Sequence, residues 1–200
     1  HMVEANLDAL RRIGIQPDQA QRKLILAAGD AARQRIQQLL QQHGLQPKQF
    51  VQIHPASRWL FKCWPAARMA ELIRQLQSQG RQIVLTAAPD EKERELIGNI
   101  KAQLAQPVVD LSGQLNLKEL AALTEQAQLF IGMDSVPMHI AAAMQTPTVA
   151  LFGPSGDIEW GPWLVPHRIV TSNHPCRPCG KDGCGGSKRS ECLDLIPVQQ

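Results

Sequence analysis

Six short apolar, β-branched runs separated by longer segments of helical period leave this chain little choice of architecture. The runs fall at residues 50–53, 83–86, 108–111, 129–132, 148–152 and 169–171. Each is short and continuously apolar, which is how a strand reads when both of its faces are covered. Between them Met69, Leu72, Ile73 and Leu76 recur at i, i+3, i+4 and i+7, giving a helix with one apolar stripe that ends near Gly80. A second helix carries Leu96, Ile100 and Leu104. A third starts at Asn116, with Glu119 three residues on as a capping box and Leu117, Leu120 and Leu123 on its buried side. A fourth starts at Asp134 or Ser135 and accommodates Pro137, because first-turn amides have no intrahelical partner. Strand-helix alternation of this kind predicts a parallel sheet covered on both faces through right-handed crossovers, a Rossmann-like doubly wound α/β fold.

Two hundred residues suit one main domain. That domain is expected over residues 46–172. Residues 3–45 read as an interdomain connection and first elements, mostly helical, with a short apolar run at Leu24-Ile25-Leu26. Residues 1–2, His1-Met2, read as a tag remnant, and no charged-then-apolar signal segment follows, so the expected compartment is the reducing cytosol. Residues 173–200 form a Cys-rich C-terminal tail in which Pro, Gly and Lys make a regular core element unexpected. No apolar run approaches the ~20 residues of a bilayer span. A net charge of +3 falls short of the clustered basic face that nucleic-acid binding requires, so no nucleic-acid partner is expected.

Ligands of open α/β sheets bind at the carboxyl ends of the strands. That directs attention to His54-Pro55-Ala56-Ser57-Arg58 with Lys62, to Ala87-Ala88-Pro89-Asp90, to Gly132-Met133-Asp134-Ser135 with His139, and to Gly153-Pro154-Ser155. Ser57, Lys62 and Ser135 supply the hydroxyls and the cation of a phosphate site beside a helix N-terminus. Taken singly, each has a plainer role: serines and Asp134 as helix caps, Lys62 as a solvated cation, His139 as a hydrogen-bonded core residue kept neutral by the helix dipole. Trp59, Trp64, Trp160 and Trp163 are candidates for a sugar pocket, with structural packing the simpler role for at least two. There is no G-x-G-x-x-G, no G-x-x-x-x-G-K-[ST] and no D-x-D, which removes the main support for a dinucleotide oxidoreductase, a P-loop enzyme and a carboxylate-held divalent cation.

Cys63 stands alone, whereas Cys176-x2-Cys179-x4-Cys184-x7-Cys192 places four potential thiolates close in sequence. The set is compatible with a closed, structural zinc site, and competes with a metal-free reduced loop or disulfides.

Three separated segments, His54-Pro55-Ala56-Ser57-Arg58-Trp59 with Lys62 and Trp64-Pro65, then Gly132 through Ala143, then Ala150 through Ser155, resemble glycosyltransferase family 9, the ADP-heptose:lipopolysaccharide heptosyltransferases. The resemblance implies a GT-B fold of two Rossmann-like domains, of which this chain is the C-terminal half. It implies an inverting enzyme that needs no cofactor for catalysis and moves heptose from an ADP-heptose donor to the lipopolysaccharide inner core. It further implies a cytoplasmic protein, with peripheral contact to the inner membrane. By motif position, Ser57 and Lys62 face the donor diphosphate, and Asp134, Ser135 and His139 surround the phosphates and heptose. No catalytic residue is expected in this chain, because the family's proposed base is an aspartate of the N-terminal domain; the chain alone is expected to be inactive. Relatives carry threonine and glycine where this chain has Ser135 and Val136, and place an acidic residue near the ribose that is either Asp90 or Glu91 here. A stand-alone nucleotide-binding module and a zinc-stabilised interaction domain are the competing readings.

Overall fold

The computed structural model describes residues 1–199. Six strands form one all-parallel sheet: β1 (Phe50–His54), β2 (Gln82–Leu85), β3 (Val109–Asp110), β4 (Leu129–Met133), β5 (Thr148–Leu151) and β6 (His167–Val170). Their order is β3-β2-β1-β4-β5-β6, with β1 and β4 paired from Val51↔Leu129 to His54↔Gly132. All six predicted runs are strands, shifted by a residue or two at their ends.

Eight helices accompany the sheet among the described residues: α1 (Met2–Arg12), α2 (Asp30–Gln42), α3 (Ala66–Ser78), α4 (Glu91–Lys101), α5 (Leu117–Gln126), α6 (Val136–Ala143) and the short α7 (Asp157–Trp160) and α8 (Glu191–Asp194). Strand alternation sorts the core into two faces. Val51, Ile53, Ile83, Leu85, Ile131 and Leu151 pack with Met69 and Ile73 of α3 and Ile97 and Ile100 of α4. Phe50 and Val84 point the other way, into Ile36, Leu39 and Leu40 of α2 and Leu120 and Leu123 of α5. The capping box on α5 is present, Asn116 Oδ1 accepting from Glu119 N while Glu119 Oε2 accepts from Asn116 N. Leu117 is a correction: it is 67% exposed, because the first helical residue lies at the open edge of the sheet rather than over it. Leu24-Ile25-Leu26 forms no strand, and Ile25 stands almost fully in solvent.

The tail also departs from expectation. Right-handed crossovers place α3 and α4 on one face and α5 and α6 on the other, so no crossover helix covers β4 and β5 on the first face. Leu193 and Ile196 fill that gap and are fully buried, in the same cluster as Ile131, Leu151 and Val170. The Trp64 indole N–H donates to Ile196 O at 3.3 Å. Gly153, at the end of β5, permits this approach, since a Cβ there would lie 2.6 Å from Leu193 Cγ.

The sheet also carries a buried polar strip. Gln52, His54 and Thr86 are all but inaccessible, with His54 Nδ1 3.0 Å from Thr86 Oγ1 and Gln52 Nε2 donating to the same hydroxyl. Burial pushes the His54 imidazole down to about 4 from 6.5.

Ile196→Ala is expected to cost about 2–5 kcal/mol of unfolding free energy in urea titrations, the range for emptying a buried aliphatic site; a loss below 0.5 kcal/mol (about RT) would place the tail outside the core. Because the unfolded chain binds a proton at His54 below pH 6.5 that the folded chain refuses down to about 4, stability should rise with pH across that window. In denaturation midpoints measured from pH 4 to 7, His54→Gln should flatten that rise.

Candidate functional site

At the β1–β4 pair the strand order reverses, and loops leaving the two strands diverge to open a crevice. A cavity of about 450 Å³ occupies it, bounded by the ends of β1 and β2 and the starts of α5 and α6. Its wall is mainly apolar, Leu111, Leu115 and Leu120 included, and it also carries Ser57, Arg58 and Ser135. Gly132 is small where crowding demands it, since a Cβ would meet the Phe130 ring at 2.6 Å and His54 O at 3.3 Å.

Lys62 Nζ donates to Asp134 Oδ2 at 2.7 Å, joining the turn after β1 to the turn after β4. Lys62 is therefore not a free solvated cation. Asp134 is buried, and its carboxylate is spent on Lys62 rather than on capping α6. Ser135 occupies the N-cap position of α6 but makes no side-chain cap; its hydroxyl turns back to Met133 O at 3.3 Å. By contrast, α4 and α5 spend first-turn amides on their own Asp90 and Asn116 side chains. The first turn of α6 is the one left uncapped at this crevice.

His139, one turn into α6, is half-buried, and its pKa is lowered chiefly by burial, with Lys62 adding to the shift and Asp134 opposing it. The neutral form anticipated from the helix dipole thus has desolvation as its main cause. Ser57 is 4% exposed and its Oγ accepts from Trp59 N at 3.4 Å. The structure brings Ser57 and Ser135 onto the cavity wall and Lys62, Asp134 and His139 into an adjoining charged cluster.

The acidic residue on the cavity is neither Asp90 nor Glu91. Asp90 accepts from Lys92 N and Glu93 N as the N-cap of α4, and Glu91 is exposed. Glu93 is the buried carboxyl lining the cavity, its Oε2 accepting from Ala88 N at 2.8 Å and lying 4.0 Å from His54 Nε2. Burial raises its pKa while it lowers that of His54, so both groups are pushed toward their neutral forms. A signal was available in the sequence: Glu93 sits at i with Ile97 at i+4 and Ile100 at i+7, a carboxyl in the buried stripe of α4.

Two of the tryptophans are structural. Trp64 is buried against the tail, and the Trp163 indole N–H donates to Arg22 O at 2.8 Å. The four clustered cysteines do not form a metal-holding set as placed: among the described residues no three His, Cys, Asp or Glu side chains converge on a common point. Cys192 is buried, its thiol pushed up chiefly by burial and also by the neighbouring Cys184, Cys176 and Cys179, whereas Cys176 is exposed and its Sγ lies 3.1 Å from His174 Nδ1. The segment they belong to is nonetheless tied down, with Cys179 N and Gly180 N donating to Pro154 O and Arg177 bonded to Gly153 O and Asp157.

Known proteins resemble this chain in sequence and in fold. The lipopolysaccharide heptosyltransferase 3 of Escherichia coli is 38% identical over 165 residues, covering 82% of this chain and 47% of its own length. A solved glycosyl transferase family 9 structure from Veillonella parvula superposes with a TM-score of 0.83 at 23% identity, over 98% of this chain and 56% of that one. The E. coli ADP-heptose lps heptosyltransferase II gives a TM-score of 0.68 at 25% identity, over 88% and 50% of the two chains. The chain spans about half the length of the curated relatives it matches. With the profile of glycosyltransferase family 9 (heptosyltransferase) matching residues 1–188, this chain belongs to that family.

Proposed function

We propose that this chain is the donor-binding half of an inverting heptosyltransferase, holding ADP-heptose for transfer to the lipopolysaccharide inner core. The observation that carries the reading is the cavity at the strand-order reversal, lined by leucines together with Ser57, Arg58, Glu93 and Ser135, whose neighbours in sequence, Lys62 and Asp134, form an ion pair. Its leucines suit a nucleobase, and the Glu93 carboxyl on the same cavity takes the ribose hydroxyls in place of Asp90 or Glu91. Ser57, Ser135, Arg58 and the Val136 amide at the start of α6 take the diphosphate, with Lys62 beside them. Neutral His139 and the Asp134 carboxylate, both better suited to hydroxyls than to phosphate oxygens, face the sugar.

As the glycosidic bond breaks, negative charge grows on the departing ADP, and Lys62 with the helix-end amides stabilises it in place. Deprotonation of the acceptor hydroxyl falls to the part of the family's length that this chain does not span. Among the described residues no helix is long and apolar enough to cross a membrane, and the proposal includes peripheral contact with the inner-membrane surface where the acceptor lipid resides. Cys176, Cys179, Cys184 and Cys192 enter only as a proposed structural zinc site that pins the tail. It requires the thiols to close up from their present positions, and no step of transfer runs through it. About one zinc per reduced chain by elemental analysis supports that site, and a metal-free chain with freely titrating thiols removes it.

Calorimetry with ADP tests the donor site. The chain is expected to bind ADP, and Lys62→Ala to weaken binding by about 1.5–3 kcal/mol, the range for a hydrogen bond to a charged group. An unchanged affinity would remove Lys62 from the site.

A further inference from the structure

The sheet face that carries Phe50 and Val84 changes character toward its carboxyl edge. Alternation puts Gln52 and His54 on the same side of β1 as Phe50, and Thr86, just past β2, on the same side as Val84. All three are polar and buried at positions where aliphatic side chains would pack with no loss of hydration. His54 and Thr86 line the cavity, and so does Glu93, which reaches it from α4.

Hydrogen bonding gives the strip a direction. Thr86 Oγ1 accepts from Gln52 Nε2 at 3.4 Å and has one hydrogen of its own to give. His54 Nδ1 lies 3.0 Å from that oxygen and Ile53 O 3.5 Å, so the shorter contact takes the hydrogen. A neutral imidazole that accepts at Nδ1 carries its proton on Nε2, and burial keeps this imidazole neutral. Its Nε2–H then faces Glu93 Oε2, where the other tautomer would set a lone pair against the carboxylate. Glu93 Oε2 is also held by Ala88 N at 2.8 Å, while Oε1 has no hydrogen-bond partner among the described residues. One oxygen is anchored and the other is left for a ligand.

We propose that His54 is a positioning residue: through its Nε2–H it orients the Glu93 carboxyl to accept from neighbouring hydroxyls of the ligand, which makes the cavity selective for a ribonucleotide over a 2′-deoxyribonucleotide. At 4.0 Å the contact is longer than a hydrogen bond, and it shortens when a ligand draws the carboxyl into place. The inference rests on the donor-site reading above, in which Glu93 takes the ribose hydroxyls.

Calorimetric titrations with ADP and 2′-deoxy-ADP test it, thermal melts establishing that each variant is folded. The unsubstituted chain should prefer ADP by about tenfold, the worth of one hydrogen bond to a charged group. His54→Phe should bring that preference to within about twofold. His54→Gln, whose amide nitrogen can donate to Glu93 in place of Nε2, should restore most of it. In a Glu93→Gln background, where the preference is already lost, His54→Phe should lower it no further. A preference that survives His54→Phe, equal losses for both nucleotides, no rescue by His54→Gln, or a further loss in the Glu93→Gln background would overturn the positioning role while leaving the donor site standing. Binding of ADP with no preference over 2′-deoxy-ADP would overturn the ribose assignment of Glu93 together with the role of His54. Failure of the unsubstituted chain to bind ADP would instead overturn the donor site, and this inference with it.

Discussion

The pairing of β1 with β4 is the constraint from which the site and much of the packing follow. Once β4 lies beside β1 instead of continuing past β3, the crossovers must change face, and α5 and α6 sit opposite α3 and α4. Two loops that leave neighbouring strands toward opposite faces cannot pack on each other, so a crevice opens above them. The register of that pair is demanding. His54 stands opposite Gly132, where only a glycine leaves room for the Phe130 ring, and the residues that follow, Ser57 and Asp134, are carried to opposite lips of one cleft. The Lys62–Asp134 ion pair then ties the two loops together, a bond between segments 72 positions apart in sequence.

The same change of face explains the tail. A doubly wound sheet extended past its reversal has one side of β4 and β5 that no crossover helix reaches, and bare Ile131, Leu151 and Val170 would face water there. Leu193 and Ile196 supply the missing cover, held by Trp64 and by the Ser190 hydroxyl, which donates to Phe61 O at 2.6 Å. Since Phe61 adjoins Lys62 and the tail also bonds to Gly153 and Pro154, closing the core also fixes two loops at the carboxyl edge of the sheet. Stability and site geometry share the same contacts.

What could be read from the sequence follows how local each feature is. Strands and helices were legible because their signals lie within a few residues: the i, i+3, i+4, i+7 spacing from Met69 to Leu76 and the Asn116–Glu119 box report on their own segments. Ser57, Ser135, Lys62, Asp134 and His139 could be named because strand ends are predictable places. Their pairing could not, since nothing in sequence says that Lys62 would choose Asp134 over water. Leu117 was misplaced because helical period says which side of a helix is apolar, not where the neighbouring layer ends. Glu93 was missed through attention to the helix start, where Asp90 proved to be a cap. The tail was missed because Pro, Gly and Lys dominate its composition, while two aliphatic residues, Leu193 and Ile196, decide its burial.

The electrostatics of the cleft bear on how a diphosphate can be held without a carboxylate-bound cation. Lys62 is already balanced by Asp134, so the pair brings little net charge. The balance comes from Arg58 on the cavity wall and from dipoles, and the helices around the crevice differ in the second respect. In α4 and α5 the first-turn amides are taken by Asp90 and Asn116, whereas in α6 the Ser135 hydroxyl turns to Met133 O and leaves its turn uncapped. Side-chain capping is worth roughly 0.5–2 kcal/mol to a helix, and α6 forgoes it. The short run of alanines at Ala141–Ala143 and the buried Met138 and Ile140 offset that loss by packing α6 against the sheet and α5. A helix held by its body rather than by its cap leaves the Val136 amide without a side-chain cap, Pro137 having no N–H and Met138 N donating to Ser135 O, and the Lys62–Asp134 pair holds the cation nearby without a charge that would need neutralising when the cleft is empty.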